Sequence, residues 1–196
     1  MVNPNNSIQG LYKNVTLNDV KLASAYYPIL IDLAKHKHCL TYSELVDKAK
    51  ELYPSKAVVQ RAIAVSSGRK LDVVRLFTSE RELPDLSSLI INKKIGECGP
   101  LYTEHFDPVA AREKVFAFDW RTVSNDFDGY IKHTETVITP RKRRKEPEAL
   151  KIMAQFYSQN KETLPLTVRD EREFIVELLM EGFSAEEAFS QATNVA

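Results

Sequence analysis

Cysteine is scarce in this chain and net charge is absent. Two cysteines, Cys39 and Cys98, in 196 residues cannot build a disulfide framework. That excludes the small disulfide-stapled secreted class and makes a reducing, cytoplasmic setting the default. Twenty-seven basic and 27 acidic side chains cancel. Overall charge therefore does not announce a nucleic-acid partner; only local clustering can. No apolar run approaches the length of about 20 residues that spans a bilayer, so no membrane partner is expected. The opening "MVNPNNSIQG" is polar, and no signal peptide is expected there. Strong catalytic motifs are lacking as well.

What is present is an apolar content of 43%, which supports a normal core for one full domain and a smaller appendage. Residues 1–17 read as an Asn-rich flexible arm. "LNDVKLASAYYPILIDLAKHK" reads as the first helix, with Asn18 as its cap and Pro28 as a point of kinking. "LTYSELVDKAKELYP" is the clearest element: Thr41 and Glu44 form a capping box, Leu45, Ala49 and Leu52 follow at helical spacing, and Pro54 stops the helix. "SKAVVQRAIAVSSGRKLDVVRLF" continues in helical style, with a break expected at "SSG".

After Pro84 the period changes. "LSSLIIN" and "VFAFDW" (115–120) read as strands, and "KKIGECG" between the first strand and "PLY" supplies turn chemistry. "YIKHTETVIT" reads as a further strand. Helices followed by a hairpin match the order of a winged helix-turn-helix. Beyond "PRKRRKEPE" the chain is helical again, with Leu150, Met153, Ala154 and Tyr157 on one face. Thr167 with Asp170 resembles a capping pair, Gly182 suits a helix end, and Ser184 with Glu187 forms a second capping box. The expected organisation is thus an arm (1–17), a winged-helix domain (18–138), a basic linker (139–147) and a helical C-terminal region (148–196). The fold class is α+β, mostly helical.

Charge clusters where such a domain would meet a nucleic acid. Residues 56–81 hold six basic side chains (Lys56, Arg61, Arg69, Lys70, Arg75, Arg81) against two acidic ones (Asp72, Glu80). Lys93 and Lys94 fall at the tip of the wing. Arg141, Lys142, Arg143, Arg144 and Lys145 are five consecutive positive charges. Double-stranded DNA is therefore the expected partner, with Arg61, Arg69, Lys70, Lys93 and Lys94 as phosphate or base contacts and 141–145 as an auxiliary clamp. The alternative is a solvated helix face on a fold turned to protein contacts. A protein partner would then be held through the winged helix or the acidic helices of 148–196, as in a phage-type host-interference factor. The acidic stretch 170–187 folding back on the basic run is a further expectation.

Chemistry is thinly supported. "HKHC" (His36, His38, Cys39) lacks the paired four-ligand spacing of structural zinc and reads as a helix end whose positive charge suits the dipole. Cys98 with His105 has no motif behind it, and "PD" at Pro84–Asp85 lacks the second carboxylate of a metal-dependent nuclease. No catalytic residue, metal or cofactor is expected. "FIVELLMEGFSAEEAFSQA" resembles the start of small ubiquitin-associated interaction modules, with a helical hairpin used for packing or dimerisation as the plainer reading.

Residues 40–99 resemble the winged-helix domain of the DNA alkyltransferases and their catalytically silent relatives. "LTYSELVDKA" and "QRAIA" correspond to the family's "TYgeLA" helix and "aRAVG" recognition helix, and "LPDLSSLIIN" stands at its Pro-Cys-His-Arg segment and following strand. Asp85 follows the proline in place of the alkyl-accepting cysteine, the histidine is missing, and Ala64 replaces the glycine. The resemblance implies the fold and a DNA-docking role for Arg61, and argues against alkyl transfer. A regulatory or mobile-element role would suit such a binder.

Overall fold

A capping box opens the first helix. In the computed structural model, which describes residues 15–123, 126–138 and 141–195, the Asp19 carboxylate accepts the Thr16 amide at 2.9 Å and Thr16 Oγ accepts the Asp19 amide at 3.2 Å. Helix α1 (Leu17–His36) follows. Thr16 is the cap, and Asn18, expected in that role, lies in the first turn. Residues 1–14 of the expected arm lie outside the described residues, while Val15 and Thr16 are buried and belong to the folded domain. Pro28 does not divide α1. It sits on the exposed side of the helix, and Ser24, whose carbonyl loses its amide partner there, is a half-buried residue.

The chain divides into two units, residues 1–138 and 139–196. In the first, α1 is central, buried along a broad face through Val20, Leu22, Tyr26, Ile29, Leu30 and Leu33, with Lys21, Pro28, Asp32 and Lys35 on its solvent side. Strand β1 (Leu40–Thr41) leads into α2 (Tyr42–Leu52), where the Thr41–Glu44 capping box forms with both bonds present. A single turn, α3 (Ala57–Gln60), and a 3₁₀ turn (Ala64–Ser66) precede α4 (Ser67–Glu80). "SSG" therefore starts a helix here. A second 3₁₀ turn (Leu86–Leu89) leads to β2 (Ile90–Ile91). The short α5 (Pro100–Thr103), then α6 (Pro108–Ala117) and α7 (Phe127–Val137), complete the unit.

The architecture is mostly helical with one small sheet. β1 and β2 pair in parallel, Leu40 opposite Ile90 and Thr41 opposite Ile91. α4, α7 and the 86–89 turn pack on α1. Tyr27 stacks on Phe127 with centroids 3.9 Å apart, and Phe77 meets Phe127 edge-on at 4.8 Å. Each such buried ring contributes about 1.5–3 kcal/mol by burial.

Three expected strands are corrected. Only two residues of "LSSLIIN" are extended, because the Asp85 carboxylate accepts the Ser87 amide at 2.9 Å and closes a 3₁₀ turn first. Residues 115–117 of "VFAFDW" end α6, which Asp107 caps through the Val109 and Ala110 amides with Pro108 at the first position. "YIKHTETVIT" lies mostly in α7, whose Phe127, Tyr130, Ile131 and Thr134 form one buried face. The expected hairpin reduces to a turn closed by one antiparallel bridge, Asn92 to Glu97.

The second unit holds α8 (Glu146–Asn160), a 3₁₀ turn (Leu166–Arg169), α9 (Arg172–Met180) and α10 (Ala185–Val195). Its core includes Ala149, Phe174, Leu178, Leu179, Phe183, Ala188 and Phe189. Ser184 and Glu187 form the expected box, with bonds of 2.9 and 3.1 Å. Thr167 and Asp170 do not cap a helix; Thr167 falls in the 3₁₀ turn, Asp170 directly follows it, and α9 starts beyond them.

Gly182 shows why the basic run is not a free linker. Its φ is +98°, and a Cβ there would meet the Lys142 carbonyl oxygen at 2.7 Å and Arg141 Cβ at 2.8 Å. The run is packed against the α9–α10 turn, which the absence of a side chain at 182 permits.

Candidate nucleic-acid interface

Four of the ten expected contacts are turned to the protein itself. Arg69 and Lys70, on the first turn of α4, both reach the fully buried Asp19 of α1. Lys70 Nζ lies 3.2 Å from Asp19 Oδ1 and donates to Ser66 Oγ at 2.7 Å. Burial by itself would raise the Asp19 carboxyl, but the charges of Lys70 and Arg69, with the Thr16 amide, hold it below the usual carboxylate range. These two cations are structural, which corrects their assignment to DNA.

Arg141 and Arg144 are likewise committed within the second unit. The Arg141 guanidinium lies 3.9 Å from the Phe183 ring centroid and 3.4 Å from Glu187 Oε2. Arg144 Nη1 donates to the carbonyls of Leu179 at 2.9 Å and Phe183 at 2.7 Å, and its amide donates to Met180 at 2.9 Å. Arg144 thus ties the basic run to the end of α9 and to the turn beyond it. Lys142, Arg143 and Lys145 point outward and are exposed.

Arg61, Lys93 and Lys94 are exposed in the first unit. Arg61 follows α3 and donates through Nε to the Ala57 carbonyl at 3.2 Å. Lys93 and Lys94 occupy the tip of the Asn92–Glu97 turn. The outer side of α4 is not basic: Asp72, Ser79 and Glu80 are exposed, and Arg75 pairs with Asp72 at 2.6 Å. Thr41 hydrogen bonds hold the Glu44 carboxyl below its usual range, and the Lys93 charge adds slightly to the effect.

Sequence reasoning missed the anchor beneath the turn. Arg112 of α6 pairs with Glu97 and donates to the Ser88 carbonyl at 3.2 Å. Only the fold brings α6 to the turn, so no local signal identifies it. The Cys98 thiol also reaches Ser88 O, at 3.5 Å. Burial, then the Glu97 charge, pushes that thiol up to about 12, opposed by Arg112. It is protonated at neutral pH and a weak nucleophile. Among the described residues no cluster of His, Cys, Asp or Glu is arranged to hold a metal, and no helix is long and apolar enough to cross a membrane.

A cleft of about 460 Å³ lies between the end of α4, residues 83–85 and the α5–α6 region. Its lining includes Arg75, Pro84, Asp85, Tyr102, Phe106 and Lys114. Asp85 accepts from Tyr102 Oη at 3.0 Å and from Ser87 Oγ at 2.6 Å. Burial and this carboxylate raise the Tyr102 phenol, so it remains a donor. Both groups are occupied with each other.

No protein-family model, curated protein or solved structure matches this chain.

Proposed function

We propose that the first unit is a winged-helix domain that binds double-stranded DNA without catalysing a reaction on it. The observation that carries this reading is the Asn92–Glu97 turn. It follows helices α1 to α4 and presents Lys93 and Lys94 to solvent at its tip. Arg61, exposed after α3, is the second contact. Lys142, Arg143 and Lys145 are the part of the basic run left to act as a clamp. Phosphate contacts release counterions, so affinity falls with salt by a log–log slope of about 0.9 per contact. Fluorescence anisotropy with a short duplex across a salt series tests this. Lys93→Ala with Lys94→Ala is expected to lower the slope by about 2. A wild-type protein that fails to bind duplex at low salt refutes the reading.

A second reading, a protein-interaction factor acting through residues 148–196, is favoured by one observation. Arg141 and Arg144 are folded inward, leaving Asp170, Glu173 and Glu186 exposed on the second unit. It predicts a partner that survives nuclease treatment and is lost when residues 139–196 are removed.

A further inference from the structure

The cleft beside the end of α4 has an apolar interior that the protein does not fill. Ala110 and Ala111 of α6 line it, together with Leu76 of α4 and Leu83 and Pro84 beyond that helix. Two alanines leave a hollow that larger apolar side chains would close. Its volume, about 460 Å³, falls within the range of about 300–1,000 Å³ that holds small ligands.

The charged groups of the lining divide by sign. The two acids are held by the protein. Asp85 Oδ1 accepts the Ser87 amide and hydroxyl, and its Oδ2 accepts the Tyr102 phenol. Asp107 Oδ1 accepts the Val109 and Ala110 amides at the start of α6, where the helix dipole offsets its charge. The two cations keep donors in reserve. The Arg75 guanidinium lies 5.3 Å from the Phe106 ring centroid and gives one nitrogen, Nη2, to Asp72. Its fork carries five N–H donors in all. Lys114 is exposed, and among the described residues no acid pairs with it. Phe106 is exposed as well, which leaves ring surface for a second ring to pack on.

We infer that this cleft binds a small organic anion, with an apolar, ring-bearing body against the alanines and Phe106 and a carboxylate held by Lys114 and Arg75. The spare donors set the ligand's sign. An amine would find carboxylates that already accept protein donors, and a neutral body would leave both cations unused. The site belongs to the first unit and does not depend on the DNA reading.

The test is isothermal titration of the full chain with 2-naphthoate, set against its neutral and cationic analogues 2-naphthamide and 2-naphthylmethylamine. Naphthoate is expected to bind at one site per chain, about fivefold more tightly than naphthamide, with the amine weakest. Lys114→Gln is expected to bring naphthoate close to the affinity of naphthamide and to leave naphthamide unchanged. Ala110→Trp fills the hollow and is expected to remove binding of both. Lys114 is exposed, so its variant reports on the site even where Ala110→Trp does not fold. Absence of saturable naphthoate binding overturns the site. So does equal affinity for the amide or the amine, or naphthoate binding that Lys114→Gln leaves unchanged or that folded Ala110→Trp retains.

Discussion

Asp19 is the residue on which the first unit depends most for its charge balance. It completes the capping box of α1 and receives two cations from α4, all with little or no exposure. Removing one member of such a group leaves buried charge uncompensated, at a cost of about 3–5 kcal/mol. Asp19→Asn keeps the shape and the acceptor for Thr16, so its effect on urea unfolding at pH 7 measures the charge. The pH dependence has a definite sign. The folded carboxyl titrates below its unfolded value of 3.8, so its contribution is complete above about pH 4 and is lost as pH falls through the lower, folded value. The stability gap between wild type and Asp19→Asn should therefore close in acid; a gap independent of pH down to about 3 would contradict the ion-pair account. At this scale the sequence was half legible. Thr16 and Asp19 carry the capping-box spacing, but nothing local marks Arg69 and Lys70 as inward-facing. Their partner lies some fifty residues away, and isolated basic side chains read as surface.

Elements were legible where their start signals were. Thr41–Glu44 and Ser184–Glu187 each announce a helix from four residues of local chemistry. α6 and α7 carry β-like residue types on a helical period, and the period prevails. "VFAFDW" is β-like in residue type, yet Asp107–Pro108 sets a helical frame ten residues before it ends. The 127, 130, 131, 134 spacing of α7 was equally visible. The parallel pairing of β1 with β2 was not legible at all, since two-residue strands have no period and their register comes from tertiary packing. The α9–α10 turn gives this scale its test. Gly182→Ala places a Cβ against the Lys142 carbonyl and strains a positive φ, for about 1–3 kcal/mol of destabilisation. Thermal melting should show the loss, and trypsin should cut more readily within residues 141–145 as the run lifts off the turn. Unchanged stability together with unchanged cutting would mean that the run is not held there.

Across the whole molecule, equal numbers of acidic and basic groups mean that the proposed binding to DNA has to come from local surfaces, and each unit exposes a group of cations. In the first unit, Arg61, Lys93 and Lys94 are exposed; in the second, Lys142, Arg143 and Lys145 are. These two sets make separable contributions. If the second set clamps DNA, Lys142→Gln, Arg143→Gln and Lys145→Gln together should lower the salt slope by as much as about 3. The three side chains are exposed, so this variant should melt like the wild type. An unchanged slope would confine the DNA interface to the first unit and leave the second for protein contact. Deleting residues 139–196 then decides the remaining question. Loss of a nuclease-resistant partner with DNA binding intact would assign protein recognition to the second unit. Retention of the partner would exclude that unit as its docking site, and the two functions would have to share residues 1–138.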